Sequence, residues 1–144
     1  MDEKDRKLIE KLMTDSSMPL KKMAKELEMP RSTVFDRINK LKASGVIKKF
    51  SIEVDEEKLG FEVAAFILIR HDPASNTHQQ DVVKEITKIP QVKGAYIIAG
   101  EYDFLIHVKG KNVKELNRLV LDGIRKIKGV ERTNTLTVFE EIKD

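Results

Sequence analysis

Two stretches of the chain follow one pattern, Ile-x-Lys-Ile-x-x-Val, and this repeat restricts the folds open to it more than any other feature. Ile86-Thr87-Lys88-Ile89-Pro90-Gln91-Val92 and Ile124-Arg125-Lys126-Ile127-Lys128-Gly129-Val130 each read as the end of a helix, a turn and the start of a strand. Around the first copy the pattern predicts a strand from Phe61 to Arg70. A helix follows from about Asn76 to Lys88 with Val82, Val83, Ile86 and Ile89 inward, then a strand from Val92 to Ala99. Around the second it predicts a strand from Tyr102 to Lys109, a helix from Val113 to Lys128 and a strand from Val130 to Glu141. Asn112 and Glu115 give that helix a capping-box start, and Leu116, Leu119, Val120, Ile124 and Ile127 form its buried stripe.

Two strand-helix-strand copies in series make βαββαβ. With right-handed crossovers, residues 61–144 then form a four-stranded antiparallel sheet with both helices on one face, a ferredoxin-like α+β arrangement. The second face has no cover. Tyr102, Phe104, Ile106 and Val108 alternate with Asp103, Leu105, His107 and Lys109, and Val63 to Ile69 is apolar on both faces. An identical subunit is the simplest cover, so a two-fold dimer is expected.

The first fifty residues have a helical period instead. Leu8, Ile9, Leu12 and Met13 follow the acidic start at Asp2 and Asp5 and predict a helix to about Met13. Pro19 suits the first turn of a second helix carrying Leu20, Met23, Ala24 and Leu27. After Pro30 a third runs from about Arg31 to Ala43 with Val34, Ile38 and Leu41 inward, and Gly45 ends it. With only Glu28, Met29 and Pro30 between the second and third helices, residues 1–50 read as a helix-turn-helix domain. Val46 to Val54 then alternates as a strand, a winged ending, and Asp55 to Gly60 is the expected hinge, so that 51–60 joins the two domains.

Charge divides the chain along the same line. Residues 1–50 carry 13 Lys and Arg against 8 Asp and Glu, a net of +5, whereas the remainder is −2. Thr33, Arg37, Lys40 and Ser44 fall in one row of the third helix, flanked by Ser32, Asp36 and Asn39. Hydrogen-bonding and cationic side chains in such a row point to double-stranded DNA, and a two-fold dimer would meet a pseudo-palindromic operator. The DNA-binding set is therefore expected to be Arg31, Ser32, Thr33, Asp36, Arg37, Lys40, Lys42, Lys48 and Lys49.

Other functions lack apparatus. There is no Cys, and no Ser-His-Asp arrangement, Gly-rich phosphate loop or carboxylate dyad is apparent. His71, His78 and His107 match no metal-binding spacing and read as surface residues, so neither metal nor cofactor is expected and the chain is not read as an enzyme. Tyr102 to Val108 lacks the aromatic pattern of an RNA recognition module. An architectural DNA protein without an effector is the alternative. The apolar run Val63 to Ile69 is too short to cross a membrane, and the charged start shows no signal peptide, so a cytoplasmic location is expected.

Asp2 to Ile9, Pro19 to Ala24 and Arg31 to Ile38 leading to Gly45-Val46-Ile47 resemble the DNA-binding domain of the Lrp/AsnC (feast/famine) transcription regulators. Gly100-Glu101-Tyr102-Asp103 is similar to that family's effector signature. The resemblance implies a dimer joined through its effector domains, further assembly to octamers or discs, and amino-acid effectors bound between dimers; contact with the transcription machinery stays open. Glu28-Met29-Pro30 departs from the family's usual Gly and Ser or Thr cap, and small Ala99 offers no effector side-chain determinant.

Gly100-Glu101 by itself reads as a two-residue type II′ turn. Asp103 is harder to account for, because a strand interior disfavours an acid that is neither solvated nor paired. Its carboxylate is expected to pair with an α-ammonium while backbone N–H groups near Gly100 take an α-carboxylate. Ala99, Gly100, Glu101, Tyr102 and Asp103 are thus the expected effector site. Thr133, Asn134 and Thr135 would join it from a neighbouring subunit, as similar positions do in the family.

Overall fold

Asp2 starts the first element of the fold. Its carboxylate accepts from the Asp5 N–H at 2.8 Å and the Asp5 carboxylate accepts from the Asp2 N–H at 3.3 Å, a capping box opening α1 (Glu3–Thr14). In this computed structural model, which describes residues 1–143, α2 (Leu20–Glu26) and α3 (Arg31–Ala43) follow Pro19 and Pro30, and neither has a side-chain cap. Leu8, Met23, Ala24, Met29, Val34 and Leu41 form the core of this unit, with Ile9, Leu12, Ile38 and Ile47 against it. Met13, expected inward, is exposed, and Met29 in the turn is buried instead.

Met29 is drawn in by the way α2 ends. Glu28 takes φ +53°, so that its N–H reaches Lys25 O at 3.2 Å and the Met29 N–H reaches Ala24 O at 3.0 Å. A left-handed conformation strains any residue with a Cβ. Glu28→Gly is expected to stabilise the unit by about 1 kcal/mol, read from the urea midpoint.

The chain divides into two compact units between Glu53 and Val54, inside the segment expected to join the domains. The expected strand from Val46 to Val54 does not form: no described residue pairs with it in a ladder, and the Ile47 N–H bonds back to Leu41 O at 3.0 Å instead. The expected hinge is a turn of the second unit. Leu59 N–H bonds Glu56 O, Gly60 N–H bonds Glu57 O, and Glu56 lies 3.7 Å from Lys109.

The second unit has strands β1 (Val63–His71), β2 (Val92–Ile97), β3 (Phe104–Gly110) and β4 (Val130–Thr137), ordered β2-β3-β1-β4 with every pairing antiparallel. Ala65, Ile67 and Ile69 of β1 and Phe104, Ile106 and Val108 of β3 are fully buried against one face of helices. Those helices supply Val82 and Ile86 from α4 (Gln79–Thr87), Leu116 from α5 (Val113–Arg118), and Leu119, Val120 and Ile124 beyond it. The repeat folds twice alike. Ile86 and Ile124 are both fully buried; Ile89 N–H bonds Ile86 O and Ile127 N–H bonds Ile124 O, each at 3.1 Å. Val92 and Val130 then donate to Ile89 O and Ile127 O at 3.0 and 3.2 Å.

Several boundaries differ from expectation. α4 begins at Gln79 rather than Asn76 because Asn76 takes φ +58° after a 3-10 turn at Pro73–Ser75. The expected helix to Lys128 stays α-helical only to Arg118, passes through a π turn (Leu119–Gly123) and ends as a 3-10 turn (Ile124–Lys126). Ile124 N–H bonds Leu119 O, which brings these side chains, five residues apart, to the same buried side. β4 stops at Thr137 instead of Glu141, after which one further bond runs from Val138 N–H to Ala64 O.

Candidate functional site

At about 100° per residue, the row opposite Val34, Ile38 and Leu41 is Ser32, Asp36, Asn39 and Ala43, with Phe35 beside it. All five are exposed in the structure, as are Arg31, Lys40 and Lys42. The expected row of Thr33, Arg37, Lys40 and Ser44 lies along the flank. Thr33 is half-buried, and the Ser44 hydroxyl donates back to Leu41 O at 3.2 Å. Lys48 and Lys49 are exposed in the unpaired segment, and Lys42 stands 5.8 Å over the Phe50 ring.

Arg37 requires a correction. Its Nη1 donates to both oxygens of Asp2 at 2.8 Å and to Asp5 Oδ1 at 2.9 Å, and its side chain is 24% exposed. A flank position beside the core turns the guanidinium onto the capping box of α1, so Arg37 orients α3 and is not on its exposed face. The hydrogen bond from Arg37, then that from Asp5 N–H, holds the Asp2 carboxyl below its ordinary range. Because the folded pKa is the lower one, the tie is complete above about pH 4 and is lost as pH falls through the folded value. The melting-temperature gap between wild type and Arg37→Gln is therefore expected to be constant at neutral pH and to shrink on acidification; a widening gap would contradict the pairing.

At the other unit, Ala99, Gly100 and Glu101 are exposed while Tyr102 and Asp103 are half-buried. The expected two-residue turn is a four-residue loop, closed by Ile98 N–H on Asp103 O at 2.8 Å, with Gly100 at φ +130°. The Asp103 carboxylate does not bond within its hairpin. Its Oδ2 accepts from His71 N–H at 2.7 Å, and Oδ1 has Gln79 Nε2 at 3.5 Å. His71 Nε2 is 3.0 Å from Thr77 Oγ1, which is 2.6 Å from Ser75 Oγ. The local sequence around Asp103 does not reveal these partners, because they stand at the end of β1 and the start of α4, 24 or more residues away.

Strand alternation divides the β4 set. Thr133 and Thr135 pair with Ile69 and Ile67, on the helix side, whereas Asn134 pairs with Leu68 on the open side. Thr133 accepts from Arg125 Nε at 3.0 Å. Asp103 N–H donates to Ile69 O, so Asp103 and Thr133 flank β1 at one end of the sheet.

The open sheet face carries Phe66, Leu68, Leu105 and His107 half-buried, with Tyr96 56% and Leu136 47% exposed. His107 is partly covered on this face: it stacks on Phe66 at 4.8 Å, and burial, then Lys109, lowers its pKa. His71 is likewise half-buried, and His78 is exposed. Among the described residues no group of three His, Cys, Asp or Glu is gathered to hold a metal ion, and no helix is long and apolar enough to cross a membrane.

Comparison with known proteins bears on both units. Residues 1–42 match the AsnC-type helix-turn-helix domain, and residues 64–144 match the Lrp/AsnC ligand binding domain. An HTH-type transcriptional regulator of Pyrococcus abyssi is 40% identical over 144 residues, covering all of this chain and 96% of that protein. Escherichia coli AsnC superposes with a TM-score of 0.90 at 26% identity over 100% of this chain and 95% of that one. A Neisseria meningitidis transcriptional regulator solved as an L-Met complex shares the fold, with a TM-score of 0.91 at 20% identity over 100% of this chain and 93% of that one. These relatives are regulators rather than enzymes, and the chain belongs to the Lrp/AsnC family of transcriptional regulators, with a DNA-binding helix-turn-helix domain followed by a ligand-binding domain.

Proposed function

We propose that the chain binds a pseudo-palindromic site on double-stranded DNA as a dimer, and that an amino acid bound at the Asp103 end of the sheet modulates it. The observation that carries the DNA half is the exposed α3 face of Arg31, Ser32, Asp36, Asn39, Lys40 and Lys42 on a helix-turn-helix core, with Lys48 and Lys49 following. Thr33 meets the backbone from the flank. A second copy covers the open sheet face, since Phe66, Leu68, Leu105, Tyr96 and Leu136 form one apolar surface. Two copies then present two α3 helices to two half-sites. Four dimers assemble further into an octamer, with the effector between dimers; the reading needs no cofactor, places the chain in the cytoplasm and leaves its contacts with the transcription machinery unassigned.

For the effector, Asp103 Oδ1 is the carboxylate oxygen offered to an α-ammonium, because Oδ2 is held by His71 N–H at 2.7 Å whereas Oδ1 has only the long 3.5 Å contact from Gln79 Nε2, which a ligand can displace. Ala99, Gly100 and Glu101 are exposed in the loop beside it with Tyr102 half-buried, and Thr133, Asn134 and Thr135 approach from a neighbouring subunit. The L-Met complex of the Neisseria regulator makes amino acids the first ligands to titrate.

Footprinting on genomic fragments, with and without a panel of amino acids, tests the whole reading. Discrete protected sites that change with one amino acid are expected; uniform coverage would favour an architectural protein. Calorimetry on Asp103→Asn tests the site. Asn retains an acceptor for His71 N–H but no charge, so the variant is expected to melt near wild type and lose the amino-acid heat. Retained heat would place the ligand elsewhere.

A further inference from the structure

Phe35 is unexplained by the fold. The other large apolar residues of α3, Val34, Ile38 and Leu41, face the core, whereas Phe35 is 55% exposed. Of its helical neighbours, Arg31 four residues before, Ser32 three before and Asn39 four after are exposed and polar, and Ile38 three after is turned to the core. A single aromatic ring among cations and hydrogen-bonding groups does not make the continuous apolar patch of a protein-docking face. It suits a surface that is anionic and polar but offers isolated apolar points. The major groove is such a surface: phosphates line its edges, and the C5-methyl of thymine is its apolar feature. Phe35 is the fifth residue of α3, within the N-terminal part of a recognition helix that reaches base edges.

We propose that Phe35 is a specificity-determining residue that packs on a thymine methyl in each half-site. The proposal rests on the reading of α3 as the recognition helix, and adds the base it selects. Arg31, Lys40 and Lys42 hold the helix against the phosphates while the ring excludes water from the methyl. Cytosine and uracil lack that methyl and leave the ring facing a gap or water.

The test uses the full chain and a duplex that wild type enriches from a random-sequence pool. Each thymine is replaced in turn by deoxyuridine, which removes one methyl and leaves base pairing intact, and binding is read by fluorescence anisotropy at fixed salt. At one position per half-site the replacement is expected to weaken wild type about fourfold, and about 16-fold when made in both half-sites. Phe35→Ala is expected to bind the parent and the deoxyuridine duplexes equally at that position, with its melting temperature unchanged because the ring is exposed. Phe35→Leu should keep part of the discrimination. Indifference of wild type to every replacement, half-sites without thymine, or an undiminished penalty in Phe35→Ala would each overturn the proposal. Enrichment of no sequence would overturn the sequence-specific reading beneath it, an outcome distinct from these three.

Discussion

The affinity of the full chain for a duplex carrying its selected site is expected to fall about 1,000- to 16,000-fold between roughly 50 and 200 mM salt. Arg31, Lys40, Lys42, Lys48 and Lys49 are all exposed, and a dimer carries two of each. If about six to eight of these cations meet phosphates, the plot of log K against log salt has a slope near −5 to −7 through counterion release. Arg37 is left out of this count because Asp2 and Asp5 neutralise it within its own unit. Lys49→Gln removes two charges from a dimer, so the slope should become shallower by about 2, with selected and random duplexes weakened alike. A wild-type slope shallower than about −3 would show that these cations do not face the phosphate backbone.

The second large effect is expected at Gly129. It holds φ +101°, and a Cβ there would lie 2.5 Å from Thr77 Oγ1 and 2.6 Å from Val82 Cγ2. The left-handed conformation costs a residue with a Cβ about 1–2 kcal/mol, and forcing the overlap costs about 1–3 more, so Gly129→Ala should destabilise the protein by about 2–5 kcal/mol. Neither neighbour yields easily: Val82 is 2% exposed within the core, and Thr77 is bonded to His71 and Ser75. Gly100→Ala is the control, since Gly100 has φ +130° but open space around its missing Cβ. It should lose only the conformational part. Equal shifts of the urea midpoint for the two variants would remove steric crowding as the reason for glycine at 129.

The local pattern of the chain determined a great deal of this protein. Apolar spacing at 3.6 residues set the three N-terminal helices, α3 to its observed limits of Arg31 and Ala43, and the repeat set the order of elements in the second unit. The basic charge of the first fifty residues pointed to a DNA-binding unit because composition is carried by neighbours along the chain, and Gly100-Glu101-Tyr102-Asp103 marked a candidate effector site through its resemblance to the family's signature. The exposed face of α3 was legible only in part: the row expected to face outward, Thr33, Arg37, Lys40 and Ser44, lies along the flank, whereas Ser32, Asp36 and Asn39, expected beside it, are exposed opposite Val34, Ile38 and Leu41.

What the tertiary structure alone decided depends on partners distant in sequence. Arg37 looks like a reading residue until Asp2 and Asp5, 32 or more positions away, accept its guanidinium. Asp103 looks unpaired until the N–H of His71, also 32 positions away, bonds it. The segment from Val46 to Val54 has a strand's alternation and no ladder, because a strand exists only with a partner. The helix after Val113 changes to a π turn so that Leu119 and Ile124 both reach one core. In each case local propensity proposes a conformation or a role, and the pairing of half-buried charge, backbone hydrogen bonds and apolar packing across the fold disposes of it.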